Sequence, residues 1–327
     1  MTTPTTPAPK PVARPLKVGV STCLLGKPVR YDGGHKLDHF LTDTLGRYVK
    51  FVPVCPEVEL GLGTPRETLR LVRRDAGLRM VFGKTGDDVT DAMREYSRKR
   101  VERLAGEDLS GYVLKKDSPS CGMERVKVYG EKGPGVRDGV GVYAEALLAR
   151  FPHLPVEEEG RLNDAGLRDN FVERIFAYRR VRDLFAGRWT MGELVRFHTA
   201  HKLALLAHRP AAYQSLGRLV AHAKGRPRAE VAAEYETGFM TALAALATRR
   251  THTNVLQHIA GYFKEQLDAD GKRELQSLIG DYHRGLVPLI VPITLLRHYV
   301  RRFGVAYLEG QVYLEPHPRE LMLRNHV

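Results

Sequence analysis

The stretch Val18-Gly19-Val20-Ser21-Thr22-Cys23-Leu24-Leu25-Gly26 reads as a short β-strand that runs straight into a cysteine. Two later segments repeat the arrangement. One is Phe51-Val52-Pro53-Val54-Cys55-Pro56-Glu57. The other is Tyr112-Val113-Leu114-Lys115-Lys116-Asp117-Ser118-Pro119-Ser120-Cys121-Gly122. Strands that alternate with helices build a parallel sheet, and ligands bind where such strands end. Three thiols far apart in sequence would then meet at one edge of a sheet.

Working outward, residues 16–158 read as an α/β domain with a mostly parallel, Rossmann-like sheet. The pattern predicts strands at 17–21, 50–54, 78–82 and 111–115, with an edge hairpin at 126–130 and 139–143. It predicts helices at 36–47, 88–105 and 143–151. The glycine-rich run at 130–141 matches neither a phosphate loop nor a dinucleotide fingerprint, and reads as a connection. The acidic patch Glu157-Glu158-Glu159-Gly160 with Asn163-Asp164 predicts a linker, so 159–189 reads as linker and connecting helix. Residues 190–327 read as an all-α domain. Leu194, Phe197, His201 and Leu205 fall at helical spacing, and Pro210, Pro227, Gly271, Pro288 and Pro292 punctuate successive helices.

A chain of 327 residues with 43% hydrophobic content has material for two cores. Residues 1–15 are Pro/Thr-rich and read as a disordered tail. No apolar run is long enough to span a membrane and no signal peptide is visible, so the expectation is a cytoplasmic protein. An odd number of dispersed cysteines (3) fits a reducing compartment rather than a disulfide framework. The net charge of +13 is uneven. Residues 161–327 hold 25 Lys and Arg against 16 Asp and Glu, while residues 1–160 hold 26 against 22. A basic second half points to a polyanion, most simply nucleic acid; an Arg-heavy genome gives the same imbalance without that role.

Three readings of the cysteines stand side by side. Free cysteine is often simply core. Three Cys and a water make a zinc site, although zinc usually recruits a close Cys pair. Three thiolates also hold an iron–sulfur cluster with one iron left open, since four usually close it. Pro and Gly neighbours favour loop chemistry over core, but spacing alone does not separate zinc from iron.

The segments Ser-Thr-Cys23-Leu-Leu-Gly, Pro-Val-Cys55-Pro-Glu57 and Ser118-Pro-Ser120-Cys121-Gly, with Val29-Arg30-Tyr31-Asp32-Gly33 between the first two, resemble the thiouracil desulfidase family over about residues 16–155. The resemblance implies a [4Fe-4S] cluster with one iron free of protein ligands, loaded by cluster-assembly machinery. By motif, its ligands here would be Cys23, Cys55 and Cys121. It further implies non-redox removal of sulfur from a thiolated pyrimidine. Within that chemistry Glu57 is the expected acid/base group, and Ser118 and Ser120 are expected to hold a substrate oxygen or the water. The plainer alternatives are a helix-capping Glu57 and a turn-forming Ser118. Arg30 and Asp32 are expected to bind the base edge or a phosphate, with an Asp-Gly-Gly turn as the alternative.

The second half resembles a helical domain fused behind such desulfidase domains, as in RudS-type enzymes that remove sulfur from 4-thiouridine in tRNA. The resemblance rests on Phe197-His198-Thr-Ala-His201-Lys202, on Asn254 to Phe263, on Pro288 to Tyr299 and on Gln311 to Pro318. Candidate phosphate contacts are Lys202, Arg249, Arg250, Arg297 and Arg301, the last two one helical turn apart. Tyr262, Tyr299 and Tyr313 are candidates for stacking on an unpaired base. His198, His201 and His208 lack a carboxylate or Cys that would complete a metal set, and read as packing or RNA-contacting groups. The expected function is an iron–sulfur-dependent desulfidase of 4-thiouridine in tRNA. The alternatives are the same chemistry on free thiouracil or a thiouridine nucleotide, and a non-catalytic RNA-binding or metal- and oxygen-sensing protein.

Overall fold

The computed structural model describes residues 16–75, 77–130 and 134–327; the expected tail at 1–15 lies outside them. The chain divides into two compact units, with the boundary between Asn163 and Asp164.

The first unit contains two four-stranded sheets. The parallel one runs β2 (Val49–Val54), β1 (Leu16–Ser21), β5 (Leu109–Leu114) and β8 (Val156–Glu158). Every residue of β5 is buried, the mark of a central parallel strand. Gly19 of β1 is required by packing: a Cβ there would fall 2.1 Å from the ring of Tyr112. The sheet order reverses at β1, because β2 lies on one side and β5 on the other. Such a switch point opens a crevice at the carboxyl ends of the strands.

The second sheet runs β4 (Gly77–Phe82), β3 (Leu69–Arg74), β6 (Val126–Tyr129) and β7 (Val136–Gly139). Leu71, Met80, Val126 and Val128 form its core with Met93 and Val142, from the helices α2 (Thr90–Ala105) and α3 (Val142–Arg150). Thr90, Met93, Ser97, Val101 and Leu104 give α2 its buried stripe.

Five sequence expectations change here. The strand at 78–82 forms, but it pairs antiparallel with β3 outside the parallel sheet. β3 was not expected, because its Arg-rich sequence Leu-Arg-Leu-Val-Arg-Arg buries only Leu71. The second arm of the hairpin is 136–139 rather than 139–143, since α3 starts at Val142. The acidic linker contains β8: Glu157 and Glu158 are buried, and Arg161 bonds Glu157 at 2.6 Å. The helix expected at 36–47 shrinks to a π turn over Phe40–Thr44 and a 3-10 turn over Leu45–Arg47. The amides of Lys36 and Asp38 donate to the carbonyls of Cys23 and Leu24, each at 2.9 Å, which ties this segment to the turn after β1.

In the second unit every regular element among the described residues is helical. The longer helices are α4 (Ala165–Phe185), α5 (Met191–His208), α6 (Pro210–Ala221), α7 (Arg228–Ala244), α8 (Arg249–Ala260), α9 (Ala269–Arg284) and α10 (Ile290–Phe303). Side-chain caps start several of them. Asp164 accepts from Leu167 N at 2.9 Å, Thr190 and Glu193 form a capping box, and Asp268 accepts from Gly271 N at 2.8 Å. α4 is buried nearly all round, and its core face carries charge. Asp169 meets His317 at 2.9 Å, and Glu173 meets His208 at 3.5 Å and Arg324 at 3.3 Å. No described helix is long and apolar enough to cross a membrane.

Candidate active site

The three cysteines follow three adjacent strands of the parallel sheet. Cys23 lies in a 3-10 turn directly after β1. Cys55 follows β2 with an extended backbone, as its place before proline requires, and stands at the start of the short helix α1 (Pro56–Glu59). Cys121 lies in the loop after β5, which the amino end of α3 anchors. Val142 N and Tyr143 N each donate at 3.0 Å, to Pro119 O and Ser120 O. Gly141 permits that approach, because a Cβ there would fall 2.5 Å from Ser120. All three cysteines line one cavity of about 450 Å³ at the crevice.

Burial dominates the thiol chemistry. It pushes Cys23 up to about 11, with Lys115 pulling the other way. Burial also raises Cys55, and raises Cys121 well above the ordinary thiol range while a hydrogen bond from Ser21 opposes it. Thiols of this kind stay protonated at neutral pH until a cation compensates the thiolate charge.

Glu57 lines the same cavity. Its Oε1 accepts from Ser120 Oγ at 2.7 Å, and its Oε2 accepts from Arg66 Nε at 2.9 Å and from Arg66 Nη2. Arg66 is in turn tied to Val29 O at 3.1 Å and Gly63 O at 2.9 Å. The carboxylate is thus held from both sides in a fixed orientation. Arg66 is the residue that sequence reasoning missed. Its neighbourhood in Gly63-Thr-Pro-Arg66-Glu67 was visible, but a partner nine residues away across a turn leaves no periodic signal.

The two serines divide. Ser120 is fully buried and donates to Glu57, so it positions the carboxylate rather than facing the cavity. Ser118 lines the cavity, and its Oγ accepts from Ser120 N at 3.2 Å and Cys121 N at 3.1 Å. That leaves its hydroxyl proton to donate. Arg30 lines the cavity too. Asp32 is not among the lining residues: it caps a turn through Gly34 N at 3.0 Å and pairs with Arg30 at 3.5 Å, as the turn alternative expects.

In the helical unit the expected RNA contacts are unequal. Arg249, Arg250 and Arg301 are exposed. Arg297 is half-buried and paired with Glu315 at 3.1 Å, which breaks the expected Arg297/Arg301 stripe. Lys202 lies 5.7 Å from the ring centres of both Tyr213 and Tyr307. Tyr299 and Tyr313 are buried in the core and cannot stack on a base; Tyr262 stacks on Tyr307. The histidines pack between helices. His198 bonds Tyr235 at 3.1 Å, His201 bonds Phe197 O at 2.8 Å, and His208 bonds Ala245 O at 2.6 Å.

Comparison with known proteins matches both halves. A family model described as 2-thiouracil desulfurase covers residues 18–159, and one described as a protein of unknown function, DUF1722, covers residues 202–318. The uncharacterised protein YbgA of Escherichia coli (strain K12) is 35% identical over 158 residues, 48% of this chain and 94% of its own length. The uncharacterised protein YbbK of Bacillus subtilis (strain 168) is 32% identical over 150 residues, 44% of this chain and 97% of its own length. A solved structure described as a [4Fe-4S]-dependent thiouracil desulfidase, TudS, is 33% identical and covers 45% of this chain and 93% of its own, with a TM-score of 0.38. The chain therefore belongs to the 2-thiouracil desulfurase family, with that family's domain over residues 18–159 and a DUF1722 domain over residues 202–318.

Proposed function

We propose that this chain is an iron–sulfur-dependent desulfidase that converts 4-thiouridine in tRNA to uridine and releases sulfide. The observation that carries the proposal is the convergence of Cys23, Cys55 and Cys121 on one cavity beside a carboxylate clamped by Arg66 and Ser120.

The residues fit such a group. The donor set is three sulfurs. Among the described residues no three His, Cys, Asp or Glu side chains are placed to hold a single metal ion. Thiols spread around a cavity of about 450 Å³ suit a polynuclear group better than a lone zinc. Cys23, Cys55 and Cys121 would hold it. When bound, a cluster with one iron free of protein ligands supplies a soft acid site for a thiocarbonyl sulfur.

The chain's own residues supply the rest. Glu57, fixed by Arg66 and Ser120, takes a proton from the attacking water as its oxygen bonds to the ring carbon. The C–S bond then breaks, and the proton passes on toward the leaving sulfur. Water is consumed, hydrogen sulfide is released, and no electron is gained or lost. Ser118 has a free hydroxyl proton to donate to a substrate oxygen or to the water. The lining also carries Arg30, Lys36 and Lys116, which favour a phosphate-bearing substrate over a free base. Cytoplasmic location and loading by cluster-assembly machinery belong to this same reading.

The test is anaerobic reconstitution with iron and sulfide, followed by a sulfide assay on 4-thiouridine tRNA and on 2-thiouracil. Release from tRNA at the higher kcat/KM is expected. Release only from the free base transfers the function to small substrates. An iron-loaded protein inert on both is not an enzyme of this class.

A further inference from the structure

We propose that the groove between α8 and α9 reads the edges of unpaired RNA bases. The inference rests on tRNA being the substrate, and it assigns the recognition to one place in the helical unit. The groove encloses about 360 Å³. Arg250, Asn254 and Gln257 line one wall at i, i+4 and i+7 of α8. Gln276, Gly280 and His283 line the other at the same spacing of α9. Two helical faces therefore present matched rows of polar side chains across one cleft. Ile279 and Thr253, both buried, close its floor, and Gly280 adds no side chain to the lining.

The chemistry of the lining is selective. Among the described residues no Asp or Glu lines the groove, so no lining side chain repels a polyanion. A phosphate-only site would be built from several Lys and Arg. Here one Arg stands with three amides, and amides offer a donor and an acceptor side by side, which matches a base edge. Arg250, Asn254, Gln257 and Gln276 are exposed, with no side-chain hydrogen bond or ion pair to another described residue. The state of His283 follows from its neighbour. Thr253 Oγ1 donates its only proton to Arg249 O at 2.8 Å, so at 3.2 Å it accepts from His283 Nδ1. In the neutral ring, His283 Nε2 is then an acceptor. Bases splayed from a single-stranded loop present both edges to such a set; bases inside a duplex do not.

The experiment uses the full chain with Asn254→Ala, Gln257→Ala and Gln276→Ala combined, all exposed positions, and checks folding by thermal melting. Binding of tRNA should weaken by about tenfold or more, the loss expected when bidentate base contacts go. Sulfide release from 2-thiouracil and binding of heparin should stay within about twofold, because heparin engages cations alone. Arg250→Ala alone should flatten the salt dependence of tRNA binding by about one unit of slope. Wild-type tRNA affinity in the triple variant overturns the proposal. A parallel fall in heparin binding also overturns it, since the groove would then hold phosphate rather than bases. A wild-type chain that binds no tRNA at all overturns the tRNA reading itself, which is a different failure.

Discussion

Both units bury a charged constellation, and the two do opposite things with it. In the α/β unit, Glu57 is clamped by Arg66 and Ser120 but still faces a cavity lined by three thiols. In the helical unit, Asp169, Glu173, His208, His317 and Arg324 are each at most 8% exposed, and they pair with one another and with backbone carbonyls of the core. The first set leaves room for a reactant; the second is sealed. Paired charged groups therefore mark a reaction site only where they open on a cavity. Sealed, the same ingredients become part of the fold.

The largest way to break this comparison is at the thiols. Replacing Cys23, Cys55 or Cys121 by Ala should remove most of the iron from anaerobically prepared protein and abolish sulfide release, while the melting of the helical unit is unchanged. A mutant that keeps its full iron content removes that cysteine from the ligand set. Next comes Glu57→Ala, which should retain iron and lose roughly a hundredfold or more in kcat, the scale of a proton-transfer group. A wild-type rate would move the acid/base role off Glu57.

Arg324→Met makes the converse test. It strands Asp169 and Glu173 without their cation, which costs about 3–5 kcal/mol for a broken buried pair. Urea denaturation should show the helical unit destabilised, with iron content preserved in protein still folded. A pH series reads the same sealed core more gently. Burial pushes His201 and His252 down to about 3 from 6.5. The folded state therefore binds fewer protons than the unfolded one between those values. Their contribution is complete above about pH 6.5 and is lost as pH falls. From pH 6 to pH 5 each should cost up to about 1.4 kcal/mol. A urea midpoint that rises as pH falls over that unit contradicts the assignment. The smallest effect belongs to Ser118→Ala, which removes an acceptor from two backbone amides and should cost about 1 kcal/mol of local order, the scale of a lost cap, with a severalfold fall in kcat.

The site was more legible in the sequence than the sheet around it. Each cysteine stood after an apolar run, and those runs became β1, β2 and β5 in one parallel sheet. Short strands without alternation were hidden. β3 looks like a charged segment because Arg occupies three of its six places. β8 looks like an acidic linker, because Glu157 and Glu158 are buried there by tertiary partners that no local pattern announces. For the same reason Arg66 was missed, and Ser120 was read as facing substrate when it faces Glu57. In the helical half, periodicity found helices but did not tell core tyrosines from surface ones, so Tyr299 and Tyr313 were read outward.

The most direct test of the central claim is Mössbauer spectroscopy of the full chain reconstituted anaerobically with ⁵⁷Fe, with and without 4-thiouridine tRNA. Three protein thiols around a cubane leave roughly one iron in four distinct, and only that quarter of the signal should shift when the thiolated RNA is added. Four equivalent irons, no response to thiolated RNA, or a colourless protein holding one zinc would contradict it.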